Sequence, residues 1–200
     1  MSKIITAAQA AELVQDGCTL TTTGFNGFGC PEDLMMALAD HFDQTSHPKD
    51  VTLVKCTSQG DGKGRGVSHL AEKPGLFQEL ILSHMGYDPG LRKLVQEEKV
   101  SCFLMPLGNI MALFRAIYPT FPIDICFIRA TYGDEAGNLS LANEAMNIEQ
   151  FEVASAVHNS GGIVIAQVDK IVQKGSIPAK EVFLHGFMVD YVVEGNPEYS

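Results

Sequence analysis

The sequence predicts an α/β protein, a mostly parallel sheet with helices on both faces. Segments of strand-like and helix-like hydrophobic period alternate along most of the 200 residues. Ile123 to Ile128 and Ile163 to Val168 are near-continuous apolar runs, as strands buried on both faces require. No fixed-period repeat and no low-complexity linker divides the chain, so one domain over residues 1–200 is expected.

Thr6 suits the N-cap of a first helix, with Gln9 at the reciprocal capping position and Gly17 as its stop. Cys18 to Thr23 reads as a strand. Pro31 fits the first position of a second helix, whose Leu34, Met35, Leu38 and Phe42 share one face. Val51 to Lys55 is a strand and leads into a glycine-rich loop. Leu76, Phe77, Leu80 and Ile81 are read as the next helix, and Leu91, Leu94 and Val95 as a shorter one. Ser101 to Met105 is a strand, followed by a helical stripe of Ile110, Leu113, Phe114 and Ile117. Pro119 and Pro122 then crowd an abnormally short connection before the strand at Ile123. Met188 to Val193 is the last strand.

The net charge of −10 argues against nucleic acid, whose phosphate backbone needs basic stripes. No apolar run approaches the ~20 residues of a membrane helix, and Met1-Ser2-Lys3 shows no signal peptide. A cytoplasmic protein without membrane partners is expected. Five scattered cysteines, none in a C-x-x-C, read as reduced and mostly buried thiols. Six dispersed histidines give no support for a metal.

Two loops are candidates for chemistry. Gly24-Phe25-Asn26-Gly27-Phe28-Gly29-Cys30-Pro31 follows a strand and opens a helix, where amides and the helix dipole converge on an anion or oxyanion. It serves equally as a tight turn that needs glycine. Its G-x-x-G-x-G spacing is not the dinucleotide fingerprint, and Lys55 stands where an acidic ribose ligand belongs, so NAD is disfavoured. Gly60-Asp61-Gly62-Lys63-Gly64-Arg65-Gly66 is not a P-loop, yet Lys55, Lys63 and Arg65 form a local basic concentration suited to phosphate. A mobile solvated loop is the alternative. His158-Asn159-Ser160-Gly161-Gly162 reads as a helix C-terminus, with a pocket lining at a strand entrance as the alternative, and Asp134-Glu135-Ala136-Gly137-Asn138 as a turn.

Asp16-Gly17, the run from Leu20 and Gly24-Phe25-x-x-x-Gly29-x-Pro31 resemble the signature of family I coenzyme A transferases. Thr21 and Thr22 replace its usual aliphatics, and Thr23 replaces its first glycine. Gln59 to Gly66 with His69-Leu70-Ala71, His84-x-Gly86-x-x-Pro89 and Pro106-x-Gly108 with Phe114-Arg115 resemble the acetate/propionate branch. So do Ile123-Asp124, Ile128-Arg129-x-Thr131, Asp134-x-x-Gly137-Asn138, Ala156 to Val164 and Val189 to Val193, in order.

The resemblance implies the fold of a CoA-transferase N-terminal domain and a place in short-chain acyl-CoA, fatty-acid or ketone-body metabolism. Coenzyme A is then a substrate, with no resident cofactor, and the partners are acyl-CoA and a short-chain carboxylate. In the family a G-T-F-x-D-P-R segment lies where this chain has only Tyr118 to Pro122, which implies an internal deletion near 118–122. The family's catalytic glutamate belongs to an E-x-G motif in a second half without counterpart here, so no catalytic residue is assigned to this chain, Glu144 and Glu181 included. Gly24, Phe25, Asn26, Gly27 and Gly29 are expected to border the carboxylate substrate, and Lys63 and Arg65 to meet CoA phosphates. A homo-oligomer is expected, together with a separate polypeptide or domain that supplies the second half. The rival readings are a non-catalytic module binding an effector or partner protein and, more remotely, a nucleotide-dependent oxidoreductase.

Overall fold

The structure is a computed structural model that describes residues 2–115 and 121–199. The deletion expected near 118–122 therefore lies largely outside the described residues.

An eight-stranded sheet organises the chain. Its order is β4 (Ser101–Leu104), β3 (Phe77–Leu82), β2 (Val51–Lys55), β1 (Thr19–Thr22), β5 (Ile125–Asp134), β7 (Ile163–Val172) and β8 (Tyr191–Glu194). These seven run parallel, and the short β6 (Leu139–Ser140) pairs antiparallel with β5. The expected fold class is thus found.

Side-chain alternation divides the apolar residues between two layers. Leu20, Leu53, Leu80, Ile125 and Phe127 pack with Leu34, Met35 and Leu38 of α2 (Glu32–Thr45). α1 (Ala7–Ala11), α3 (Ser68–Ala71) and α4 (Pro89–Gln96) bury Ala10, Ala11, Leu70 and Leu91 in that same layer. Val54, Ile81, Cys126, Ile128, Val164 and Ala166 point the other way, onto α5 (Leu107–Phe114) and α6 (Gln150–Asn159). Four of the five cysteines are buried and all five are free, as expected.

Several local readings hold. Thr6 and Gln9 close a capping box. Asp134 accepts from the amides of Ala136 and Asn138 at 2.9 Å each, making the β5–β6 turn. The α6 helix ends at Asn159, with Gly161 at a φ of +77°.

Two do not. Phe77 to Leu82 is β3, not a helix: a register shift between its pairings Val51–Phe77 and Thr52–Glu79 skips exposed Gln78 and puts Phe77 and Leu80, three residues apart, in one layer. Gly17 does not stop α1, which ends at Ala11. It turns the chain into β1 with a φ of +70° and donates its amide to the Lys49 carbonyl.

No helix among the described residues is long and apolar enough to cross a membrane.

Candidate functional site

Parallel strands place their carboxyl ends, and the loops that follow them, on one rim of the sheet. Here the loops after β1 and β2 meet the projecting ends of β5 and β7 around a pocket of about 450 Å³. Asn26, Gly27, Gly29 and Arg65 line it, with Arg129 of β5 and Asp169 of β7. The two candidate loops therefore share one hollow.

The turn after β1 differs from the expected anion cradle. Phe25 and Phe28 exchange backbone hydrogen bonds at 2.8 and 2.9 Å, closing a hairpin tip whose two central residues have φ of +49° (Asn26) and +86° (Gly27). Asn-Gly is the dipeptide that favours two successive positive φ values. The Asn26 amide donates to the Ser58 carbonyl at 2.8 Å. The amides of Phe25, Asn26 and Phe28 are thus already engaged.

The α2 N-terminus is likewise occupied. Glu32 and Asp33 stand in its first turn, and the Leu34 amide donates to Gln167 Oε1 at 3.2 Å. Two acidic side chains there satisfy the helix dipole and oppose a bound anion.

The loop after β2 is tied down by two acids, buried Glu32 and half-buried Asp61. Glu32 accepts from the Gly66 amide at 2.8 Å and pairs with His69 Nε2 at 2.6 Å. Asp61 Oδ1 accepts from the Lys63 amide at 2.7 Å and from the Arg65 amide at 3.2 Å. The glycines differ in their demands. At Gly66, with φ +62°, a Cβ would stand 2.2 Å from the Gln59 carbonyl oxygen, whereas at Gly64 nothing lies within 4 Å. Gly66→Ala is expected to cost about 2–3 kcal/mol in urea denaturation and Gly64→Ala only about 1 kcal/mol, since only the first adds a backbone collision to the unfavourable dihedral. Equal costs would show that the loop relaxes freely.

Lys55 is not part of a basic patch. Its side chain is fully buried, with Nζ 2.6 Å from Asp88 Oδ2 and 3.1 Å from the Thr57 carbonyl. Burial holds the ammonium below its ordinary range against the opposing pull of Asp88. Asp88 also accepts from Ser58 Oγ and from the Gly60 amide at 2.8 Å each. The pair fixes residues 57–60, which in turn hold the hairpin tip.

The other expected site residues are placed as follows. Lys63 is exposed and does not line the pocket. Phe25, at 37% exposure, also lies outside its lining. Gly24 is buried behind it, where a Cβ would stand 2.3 Å from Cys30 Sγ and where the carbonyl accepts from the Thr57 hydroxyl.

Cys30 does line the pocket, but burial, reinforced by the Glu32 carboxylate, pushes its thiol up to about 12. A thiol held protonated at neutral pH is a poor nucleophile.

Sequence reasoning assigned no role to Arg129, Glu144, Asp169 or Glu149. A charged residue inside an apolar strand was the available signal for Arg129. Its guanidinium pairs with Asp169 Oδ1 at 2.5 Å and stands 3.5 Å from Glu144 Oε1. Desolvation raises the Glu144 carboxyl against the favourable field of Arg129. Glu149 sits behind the hairpin tip, 3.4 Å from Thr57 Oγ1, and burial pushes it up to about 7.

A larger hollow of about 580 Å³ lies between α5 and α6. Leu113, Phe114, Phe121, Ile123 and Phe151 line one part of it and Ser155, Asn159 and Ser160 another, with an Arg115–Glu152 ion pair at 2.7 Å on its wall.

The sequence profile described as Coenzyme A transferase matches residues 118–195. Caffeate CoA-transferase of Acetobacterium woodii is 31% identical over 240 residues, covering 96% of this chain and 46% of the relative. The crystal structure of the acyl-CoA transferase YdiF from Escherichia coli O157:H7, a thioester complex with CoA, superposes with a TM-score of 0.92 at 28% identity. It covers 97% of this chain and 47% of that one. The alpha subunit of acetate CoA-transferase from Escherichia coli (strain K12) is 22% identical over 225 residues, covering 96% of this chain and 96% of the relative. The chain spans about half the length of the first two proteins and nearly all of the third. With the ordered motifs and the fold agreeing over nearly the whole chain, it belongs to the coenzyme A transferase family.

Proposed function

We propose that this chain is the N-terminal part of a short-chain acyl-CoA:carboxylate CoA-transferase and that a second half, on the same or another polypeptide, supplies the attacking glutamate. The observation that carries this reading is the single pocket into which the hairpin tip, the Arg65 loop, Arg129 and Asp169 converge, in a chain of this family. The alpha-subunit relative, nearly all of which is matched, supports a division of the enzyme into two polypeptides. An alignment of 240 residues against a chain of 200 supports an internal segment missing here.

The chemistry is acyl exchange through a covalent carboxylate. The glutamate carboxylate of the second half attacks the thioester carbonyl, forming an acyl-glutamyl anhydride and releasing CoA thiolate. The thiolate attacks the glutamyl carbonyl, giving a glutamyl-CoA thioester and the free carboxylate product. The acceptor carboxylate then reverses both steps. No net hydrolysis occurs, so the thioester's free energy is kept.

In this scheme the chain provides one wall of the acyl pocket. Gly27 and Gly29 let backbone approach the reacting carbon, and Arg65 supplies a positive charge at the same wall. Lys63, exposed and outside the pocket, is left as a contact for the nucleotide end of CoA.

Mixing the chain with acetyl-CoA and propionate is expected to give no propionyl-CoA. Adding a separately produced second half that carries the E-x-G glutamate is expected to restore exchange. Exchange by the chain alone would overturn the division of labour, and failure of every such half to restore it would favour a non-catalytic module.

A further inference from the structure

Arg129 occupies β5 opposite Gln167 of β7 and is 7% exposed. Two of its nitrogens face carboxylates, Nη2 to Asp169 and Nε to Glu144. The third, Nη1, is buried and has no partner among the described residues. All three side chains line the 450 Å³ pocket. A buried guanidinium edge left unmet costs free energy, so it marks a place for an acceptor atom on a ligand. Asn26 Oδ1, in the same lining, is a buried acceptor also without a partner among the described residues. A ligand that fits this wall brings both an acceptor and a donor.

Charge decides what kind of group that is. Glu144, Asp169 and Asp61 oppose Arg129 and Arg65 in the lining, three acids against two bases. A carboxylate arriving at Arg129 Nη1 meets a guanidinium already flanked by two carboxyl groups. A hydroxyl meets no such opposition and offers both a lone pair and a proton.

We propose that Arg129, Glu144 and Asp169 form a charge filter on the acyl tail, accepting a tail that carries an uncharged hydroxyl and rejecting one that ends in a second carboxylate. The filter rests on the CoA-transferase reading of the same pocket and refines its substrate class. Its specificity comes from the two acids, which cancel the arginine for an anion while leaving Nη1 without a protein partner among the described residues.

Titration of the full ¹⁵N-labelled chain with butyrate, 3-hydroxybutyrate and succinate, followed by amide shifts, tests the filter. 3-Hydroxybutyrate is expected to bind about tenfold more tightly than butyrate, the return on one otherwise unmet buried donor. Succinate, of the same four-carbon length, is expected to bind at least about tenfold more weakly than 3-hydroxybutyrate. The double substitution Glu144→Gln/Asp169→Asn should narrow the gap between succinate and 3-hydroxybutyrate by about tenfold. Asp169, whose side chain is 32% exposed, can be changed alone if the double variant does not fold.

Equal affinity for succinate and 3-hydroxybutyrate, an unmoved gap between them in the variants, or no binding of any of the three overturns the filter. Exchange assays with the added second half separate the two proposals. Exchange of butyryl groups without tail discrimination removes the filter and keeps the transferase. The ranked binding without exchange does the reverse.

Discussion

Asp88→Ala is expected to lower stability by about 3–5 kcal/mol, the characteristic cost of leaving a buried charge uncompensated. Lys55 and Asp88 have no side-chain exposure, and the pair is only part of what Asp88 holds. Its loss also strands the Ser58 hydroxyl and the Gly60 amide, both of which donate to it at 2.8 Å. For a domain of this size each kcal/mol moves the melting temperature by about 2–4 °C, so a fall of about 10 °C is the expected reading in a thermal melt. Adding Lys55→Met to Asp88→Ala should recover part of the loss, because it removes the orphaned ammonium. Asp88→Asn should cost less than Asp88→Ala, since one oxygen still accepts from the loop. A change below about 1 kcal/mol for Asp88→Ala would show that water or a backbone shift readily replaces the carboxylate.

The second large effect is a pH dependence centred on Glu149. Its carboxyl lies beside Cys56 and Thr57, and burial raises it from 4.5 to about 7. The folded protein therefore retains a proton that the unfolded chain has already lost between those two values. Stability must fall as pH rises from about 4.5 to about 7, with the full penalty present above that window. The shift corresponds to about 3 kcal/mol at most. Glu149→Gln removes the titration while keeping a group of similar shape. It is expected to be more stable than the parent at pH 8, by up to about 3 kcal/mol, and no more stable than the parent at pH 4. Denaturant midpoints collected across pH check this directly. Parallel curves for parent and variant would place the acid in contact with water after all. Because Thr57 also donates to the Gly24 carbonyl, the high-pH form should loosen the turn after β1 as well.

The layered sheet was legible because continuous apolar runs at Ile123–Ile128 and Ile163–Val168 and the stripe of α2 have few other solutions. β3 was misread for a physical reason. The register shift that skips Gln78 breaks its two-residue alternation, and Leu76, Phe77, Leu80 and Ile81 then match a helical face equally well. Loop chemistry was only half legible. The abundance of glycine after β1 and β2 marked the right segments, yet the Asn26-Gly27 hairpin signal was read as an anion or oxyanion cradle or, equally, a tight turn between strand and helix. Lys55 was counted as a ligand-facing cation because its partner, Asp88, lies 33 residues away and across a strand. The Arg129 cluster has the same character. Its acids, Glu144 and Asp169, come from separate elements that only the completed sheet brings together.

β5 and β7 are ten residues long, whereas β1 has four and β2 five. The hollow is thus a stair tread, with the short strands as its floor and the long pair as its riser. Side chains on a strand change sides at every residue, so a single insertion below Arg129 would swing the guanidinium round to the α6 layer. The riser can be heightened only two residues at a time, in increments of about 7 Å. Finer adjustment of the room available to a substrate must then be left to the loops.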